Sequence, residues 1–379
     1  MPTCCGNVLN SCVYSLISKQ KMDSLQKQPR LEWLDALRGF TMIMVVANHV
    51  CNFTFVLPYQ YSSSMHFLIL FRMPLFFFIS GFLAYKAGLA WNRQTLGSLL
   101  AKKIKVQTIP TIVFFLIGAV ILGKEFGPTV MEWLELPAKG GYWFTITLLY
   151  MFVIYYIFSY AESKLKRQSC IPILVLFVVS LAFYETCYQP QYFSWAMGFK
   201  GVRNEFVRYA SLEQLFIYFP FFIFGNMVRR YWSQWQRVMD SAWFFPMLVL
   251  IAILSALDSQ KWHLLKMEWA VVSLTLARFA LLTIVFMYFR HYHQYFTKMT
   301  AVGRMLQYIG RRTLDIYLIH LLFLPNLPTI GTFFKTYQHN FIVDTTLSVL
   351  IALVVIGFCC VTSNILRISP FLRKWLFGR

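Results

Sequence analysis

Residues 65–89 read MHFLILFRMPLFFFISGFLAYKAGL, and this stretch decides the class of fold. Between Met65 and Ala84 it holds a single charged residue, Arg72, among mostly aliphatic and aromatic side chains. An α-helix needs about 20 consecutive apolar residues to cross the hydrocarbon core of a bilayer. We therefore predict a transmembrane helix over Met65–Leu89.

Similar apolar runs, each bounded by charged residues, Pro or Gly, recur along the chain. They predict nine further helices, at Leu34–Val56, Ile104–Leu122, Tyr142–Tyr160, Ile171–Tyr184, Leu212–Val228, Trp243–Leu257, Val271–Phe289, Thr313–Phe334 and Val343–Ile368. The ninth of the ten contains Pro325 and Pro328, which predict an early end or a kink because proline cannot donate a helical hydrogen bond. The sequence thus predicts an all-α, polytopic integral membrane protein with about 10 transmembrane helices.

The composition agrees with a membrane protein. Mean hydropathy is +0.56, and 58% of the 379 residues are hydrophobic while 13% are charged. A soluble domain carries about 25% charged residues. In a soluble protein the net charge of +20 would suggest nucleic-acid binding, but here most Lys and Arg residues lie in short loops between apolar runs. We therefore predict no nucleic-acid partner and assign the charge to membrane topology.

The distribution of these cations also predicts an orientation. Lys and Arg are enriched in the cytoplasmic loops of membrane proteins. With a cytoplasmic N-terminus, the segments on that side would hold about three times as many Lys and Arg residues as the segments on the other side. We predict that both termini are cytoplasmic.

Four polar residues in the first predicted helix need a reason, because ionisable groups inside a bilayer are costly. They are Asp35, Arg38, Asn48 and His49. Arg38 and His49 are about three helical turns apart, so both side chains share one face at a separation of roughly 16 Å. Two interpretations stay open. Arg38 is an interface anchor paired with Asp35 and His49 is a histidine packed against a neighbouring helix, or Arg38 and His49 both line a site.

Two more polar clusters lie deep in predicted helices. Arg72 precedes Pro74, which frees a backbone carbonyl for another partner, and we predict that Arg72 lines a site. Tyr317 and His320 are about one helical turn apart and share a face. They either line the same cavity as the first helix or fix the packing between helices.

Metal binding is not indicated by the sequence. The 8 Cys residues include no C-x-x-C pair with a His partner. His291 and His293 lie in a predicted loop and lack further ligands. We predict no metal site and no permanently bound cofactor.

Taken in order, the motifs resemble those of the membrane acyltransferase family 3. The hallmark of that family is Arg or Lys, ten residues, then His in the first helix, and Arg38 and His49 have this spacing. The other resembling stretches are Leu34–Phe40, Phe71–Phe77, Ser80–Phe82, Lys102–Pro110, Tyr308–Gly310 and Ile316–His320. The resemblance is spread over residues 31–370.

The resemblance implies acyl transfer, usually of acetyl from acetyl-CoA, to a hydroxyl of a surface polysaccharide or lipid-linked sugar. It also implies a multi-pass protein of the inner or plasma membrane, with acetyl-CoA, a glycan acceptor and membrane lipid as partners. We expect residues 31–370 to form the acyltransferase membrane domain and residues 371–379 a basic cytoplasmic tail. Residues 1–30 are expected to be a disordered leader, in which Met22 is an alternative start.

Acyl transfer from a thioester to an alcohol needs a base, a stabiliser for the oxyanion and a held donor. We predict that His49 is the base and that Arg72 orients the acceptor or stabilises the oxyanion. Arg38 is predicted to bind the anionic CoA donor. The predicted supporting residues are Asp35, Asn48, Tyr317 and His320.

Three alternatives stay open at the level of sequence. Lys102, Lys103 and Lys105 either attract CoA or serve only to set topology. Direct transfer and an acylated His49 intermediate are both compatible with the motifs. The rival function is a transporter or flippase for a lipid-linked glycan, in which the deep Arg and His residues line the path.

Overall fold

The computed structural model describes residues 31–58, 61–121, 123, 125–136, 139–165, 169–188, 205–257, 270–336 and 341–378, and in these ranges all regular structure is helical. In chain order the α-helices are α1 Glu32–His49, α2 Ser63–Ala84, α3 Arg93–Lys103, α4 Ile109–Ile121, α5 Phe126–Glu135, α6 Trp143–Glu162, α7 Ile171–Tyr188, α8 Glu205–Tyr209, α9 Leu212–Arg230, α10 Trp232–Met239, α11 Phe244–Leu257, α12 Ala270–His291, α13 Ala301–Arg311, α14 Thr313–Ile319, α15 Pro328–Thr336, α16 Phe341–Leu366 and α17 Pro370–Phe377. Each predicted apolar run overlaps one or more of these helices. The all-α prediction is therefore confirmed for these ranges, and the predicted leader at 1–30 lies outside them.

Several of the helices are suited to a membrane. Within the described ranges, six helical segments are long and apolar enough to cross one: Glu32–Thr54, Ser63–Ala84, Arg93–Ile121, Trp143–Glu162, Val272–His291 and Phe341–Leu366. The consecutive helices α10 and α11, bent by 77°, form a seventh if they are counted as one broken span. The chain is thus a multi-pass membrane protein, while the count of ten helices and the cytoplasmic termini stay predictions.

The helices depart from the predicted runs where the backbone hydrogen-bond pattern changes. The run predicted at Thr313–Phe334 is broken, because α14 is followed by a 3-10 turn over His320–Leu322 and α15 begins only at Pro328. Proline lacks the N–H that would continue the helix, so the predicted interruption is confirmed. The third run begins earlier than predicted, at Arg93, since a π-helical turn over Ile104–Thr108 joins α3 to α4.

Helices α1 and α2 are the most enclosed of the candidate spans. In their most apolar windows, 72% of the residues of the α1 span and 67% of those of α2 are buried, against 33% for α16. These two helices also carry the first two polar clusters of the sequence. Enclosure by other helices keeps those ionisable groups away from lipid, where they would be costly.

Two pairs of glycines allow other helices to pack closely against α1 and α2. A Cβ added to Gly39 in α1 or to Gly310 in α13 would overlap the backbone of the opposite helix. Gly81 in α2 and Gly225 in α9 make the same kind of contact with each other's helix. The crossing of α1 and α13 places the following helix, α14, so that the His320 that comes directly after it meets α1.

Candidate active site

Two adjoining cavities lie beside α1 and α2. The inner cavity has a volume of about 70 Å³. It is lined by Met42, Val45, His49, Arg72, Met73, Phe76, Trp143, Phe144 and Tyr317. The structure thus brings together three predicted site residues, His49 from α1, Arg72 from α2 and Tyr317 from α14.

A second histidine lies against His49. The rings of His49 and His320 meet edge to face, with their centroids 4.9 Å apart. His320 Nδ1 lies 2.8 Å from the Tyr317 carbonyl and 3.1 Å from the Ile316 carbonyl, so Nδ1 carries the proton in these bonds. In the neutral ring Nε2 is then an acceptor, and it is buried with no hydrogen-bond partner among the described residues. The pair supplies two imidazoles in one enclosed place.

Arg72 contributes the positive charge of the inner cavity. It lies in α2, two residues before Pro74, and its side chain is half-buried. It lines the same cavity as His49. A guanidinium beside an imidazole is suited to a reaction in which negative charge develops on an oxygen, because the cation acts strongly where water is scarce.

Tyr317 is held in place by backbone groups. Its hydroxyl donates to the Gly141 carbonyl at 2.7 Å and accepts from the Phe144 N–H at 3.2 Å. The neighbouring Tyr142 hydroxyl donates to the Leu318 carbonyl at 3.1 Å. These three bonds tie α14 to the segment at the start of α6. Since its proton is already engaged, Tyr317 serves better as a fixed wall than as an acid.

The outer cavity is larger and basic. It has a volume of about 370 Å³ and is lined in part by Arg38, Lys86, Lys102 and Lys103. No Asp or Glu side chain of the described residues lines it. Partial burial and the nearby Lys102 lower the pKa of Lys86, as expected where like charges collect without a counter-charge. The cavity is therefore suited to a ligand that carries negative charge.

Arg38 is held at the wall of this outer cavity. Its Nη2 donates to Thr313 Oγ1 at 2.9 Å, and its Nη1 lies 3.8 Å from the Asp35 carboxylate one turn earlier in α1. Arg38 therefore has the Asp35 partner that an interface anchor would have, and its side chain also lines the cavity. Because α1 is a continuous helix from Glu32 to His49, Arg38 lies roughly 16 Å along the axis from His49.

Two phenylalanines belong to both cavities. Phe76 of α2 and Phe144 of α6 line the inner and the outer cavity alike. Their rings pack edge to face with centroids 4.8 Å apart. They separate the imidazole pair from the basic cavity.

Other candidate residues lie away from the two cavities. Asn48 is half-buried and lines neither of them. Arg278, in α12, is buried and donates to the Tyr184 hydroxyl at 3.0 Å, which marks it as a structural pair. His291 and His293 are exposed, and the described residues contain no group of three or more His, Cys, Asp or Glu that could hold a metal ion.

Sequence reasoning missed the buried carboxylate of Asp344 near the start of α16. Asp344 accepts hydrogen bonds from Ser62 Oγ at 2.7 Å and from the Ser64 N–H at 3.0 Å, and Cys51 Sγ lies 3.5 Å from it. It thereby joins the π-helical turn that follows His49 to the start of α2. The available signal was an acid at the edge of an apolar run, where it needs a partner.

The aromatic wall was also missed. Trp143 and Phe144 begin α6 and line the inner cavity, but no polar residue in their stretch marks them as part of a site. Phe76 stands within a motif that was recognised, although its place between two cavities depends on the packing of α6 against α2. Such walls become visible only in three dimensions.

The comparison with protein families agrees with this geometry. A family model described as an acyltransferase domain matches residues 31–364, which include α1 and nearly all of α16. No curated protein and no solved structure matches the chain with significance. The match covers most of the sequence and contains every residue that lines the outer or the inner cavity. The chain therefore belongs to the membrane acyltransferase family 3.

Proposed function

We propose that this acyltransferase transfers an acetyl group from acetyl-CoA to a hydroxyl of a surface polysaccharide or lipid-linked sugar. The donor enters the outer cavity from the cytoplasm, and the protein acts in the inner or plasma membrane. One observation carries the proposal: a basic cavity of ligand size adjoins a small cavity lined by His49 and Arg72, and the His320 ring packs against His49.

The outer cavity supports the binding of CoA. Its volume of about 370 Å³ lies within the range of small-molecule sites, about 300–1,000 Å³. Arg38 presents a planar guanidinium, which pairs with phosphate through two parallel hydrogen bonds. Lys102 and Lys103, whose role the sequence left open, line the same cavity, and Lys103 Nζ lies over the Phe152 ring, 3.2 Å from its centroid. These groups fit an anionic donor whose thioester end points inward.

The inner cavity supports the transfer step. His49 removes the proton from the acceptor hydroxyl, whose oxygen attacks the thioester carbonyl carbon, and Arg72 stabilises the oxyanion of the tetrahedral intermediate. The carbon–sulfur bond then breaks, and the CoA thiolate takes the proton from His49. His320 packs edge to face on His49, and its Nε2, which has no hydrogen-bond partner among the described residues, would accept a hydrogen bond from the imidazolium that forms in between.

A covalent route uses the same residues. His49 attacks the thioester carbonyl carbon, the carbon–sulfur bond breaks, and CoA leaves as a thiolate. The acceptor hydroxyl then attacks the acetyl carbon, the bond from that carbon to the imidazole breaks, and the hydroxyl proton goes to the CoA thiolate. Both routes place the chemistry at His49.

The proposal is tested by mass spectrometry of the host's surface glycans with the wild-type protein, without it, and with His49→Ala. We expect a loss of about 42 Da per acetyl group when the protein is absent or carries His49→Ala, because the acetyl ester is no longer made. Protein abundance in the membrane is the control. Full acetylation in the His49→Ala strain at equal abundance would contradict the proposal.

A further inference from the structure

We propose that Phe76 and Phe144 set the length of the acyl chain, admitting acetyl to His49 and rejecting acyl groups of four or more carbons. The inference rests on the proposed function and concerns the selectivity of the same site. It starts from the observation that these two side chains line both cavities.

The two rings lie where the cavities adjoin. Phe76 is 8% exposed and Phe144 is 6% exposed, and their edge-to-face contact has a centroid distance of 4.8 Å. An acyl group attached to a donor in the outer cavity must pass these rings or lie against them to bring its carbonyl to His49. The pair is therefore placed where chain length is sensed.

Tyr317 holds Phe144 in position. Its ring packs against Tyr317 at 5.2 Å, and its N–H donates to the Tyr317 hydroxyl. Tyr317 is in turn held by the Gly141 carbonyl. A ring supported in this way does not yield easily to a longer chain, because overpacking a filled site costs about 1–3 kcal/mol.

The inner cavity is the smaller of the two, at about 70 Å³ against about 370 Å³ for the outer one. An acetyl group consists of a carbonyl and a methyl. A butyryl group adds two methylenes, which would have to pack against Met42, Val45 and Trp143 in the lining. Because extra methylenes in a packed site are costly, we expect the longer chain to fit less well.

The experiment compares donors of different length on variants of the partition. Membranes that contain wild-type protein, Phe76→Leu or Phe144→Leu are supplied with acetyl-CoA or butyryl-CoA, and kcat/KM is measured for each donor. One ill-fitting methylene changes kcat/KM by about 10- to 200-fold, so we expect the wild type to prefer acetyl by about 100-fold or more. Phe144→Leu and Phe76→Leu should each lower this preference by about tenfold.

Phe78→Leu is the matched control. Phe78 lies on α2 like Phe76 and is buried, but it packs against Phe286 at 5.0 Å and lines neither cavity. This variant should keep the wild-type preference even if its abundance falls. Since the readout is a ratio of two donors on one preparation, a general loss of folded protein does not change it. Phe144→Met, which conserves more volume, gives a second test where the leucine variant is too scarce to assay.

The outcomes separate the two claims. Acetyl transfer by the wild type with an unchanged donor preference in every partition variant would overturn the inference and leave the proposed function standing. Equal use of butyryl-CoA and acetyl-CoA by the wild type would overturn it as well. If no donor supports transfer by the wild type, the proposed function fails, and the inference fails with it.

Discussion

The outer and inner cavities differ in how their charge is held. In the outer cavity the cations include three lysines, whose flexible side chains have exposed or half-buried positions, together with Arg38 on its fixed helix. In the inner cavity His49 and Tyr317 are enclosed among aromatic and aliphatic walls, and Tyr317 is fixed by two hydrogen bonds. Mobile charge is suited to binding an anion, whereas fixed polar groups are suited to chemistry at one atom.

This difference predicts which kinetic constant a variant in each cavity changes. Substitutions in the inner cavity should lower kcat, because they remove interactions made in the transition state. Substitutions in the outer cavity should raise KM for the donor, since they remove binding that is equal in the ground and transition states. Phe76 and Phe144 lie between the two cavities, so their variants should change the choice of donor.

Of the variants compared in this way, Arg72→Ala is expected to change a kinetic constant most. Loss of a group that stabilises an oxyanion lowers kcat by about 100- to 1,000-fold, and KM for acetyl-CoA should stay near its wild-type value. Steady-state kinetics in membranes check the result. As the control, Arg278→Ala removes a buried arginine that lines neither cavity and should leave kcat per folded molecule unchanged. An unaltered kcat in Arg72→Ala would remove Arg72 from the transfer step.

Arg38→Ala should act on the donor. A hydrogen bond to a charged group is worth about 1.5–3 kcal/mol, so we expect KM for acetyl-CoA to rise about tenfold to a hundredfold while kcat changes little. The rise should shrink at high ionic strength, where salt screens the remaining charges. Arg290→Ala, which breaks a surface ion pair with Asp240, is the control. Unchanged donor affinity in Arg38→Ala would count against a donor site in the outer cavity.

A smaller effect is expected for His320→Phe. The phenyl ring keeps the edge-to-face packing on His49 but lacks the acceptor nitrogen. We expect kcat to fall about threefold to tenfold, which corresponds to a neutral hydrogen bond of about 0.5–1.5 kcal/mol. His320→Gln retains an acceptor and should recover part of the rate. Equal losses in both variants would show that His320 acts through packing alone.

The smallest effect concerns pH and Lys86. Its pKa is lowered by partial burial and by Lys102, so the amine loses its charge at a lower pH than an ordinary lysine, whose pKa is about 10.4. As pH rises, the anionic donor loses this attraction and KM for acetyl-CoA should increase. Lys86→Arg stays charged and should flatten the increase. Identical pH profiles of KM in the two proteins would exclude Lys86 from donor binding.

Much of the inner cavity was accessible from the sequence. The spacing of Arg38 and His49 on one helical face holds because α1 is unbroken between them. Arg72 was marked by the cost of an ionisable group deep in an apolar run. The two prolines marked the break after α14, which ends close to His320. Each of these signals is local to one helix, and local patterns survive folding.

The other residues of the candidate site are brought there by contacts between segments that are distant in the sequence. Trp143 and Phe144 carry no local signal, because aromatic residues at the start of a membrane helix most often face lipid or its interface. Lys86, Lys102 and Lys103 fit the positive-inside rule equally well whether or not they line a cavity. Asp344 has partners about 280 residues earlier in the chain, in a network that the sequence alone does not reveal.

The separation of binding from chemistry is tested most directly by one pair of measurements on purified His49→Ala. The Kd for acetyl-CoA and the rate of acetyl transfer are measured on the same preparation. We predict a Kd equal to that of the wild-type protein and no detectable transfer, because the donor is held in the outer cavity and the base is lost from the inner one. Retained transfer, or a loss of donor binding in parallel with activity, would contradict this division.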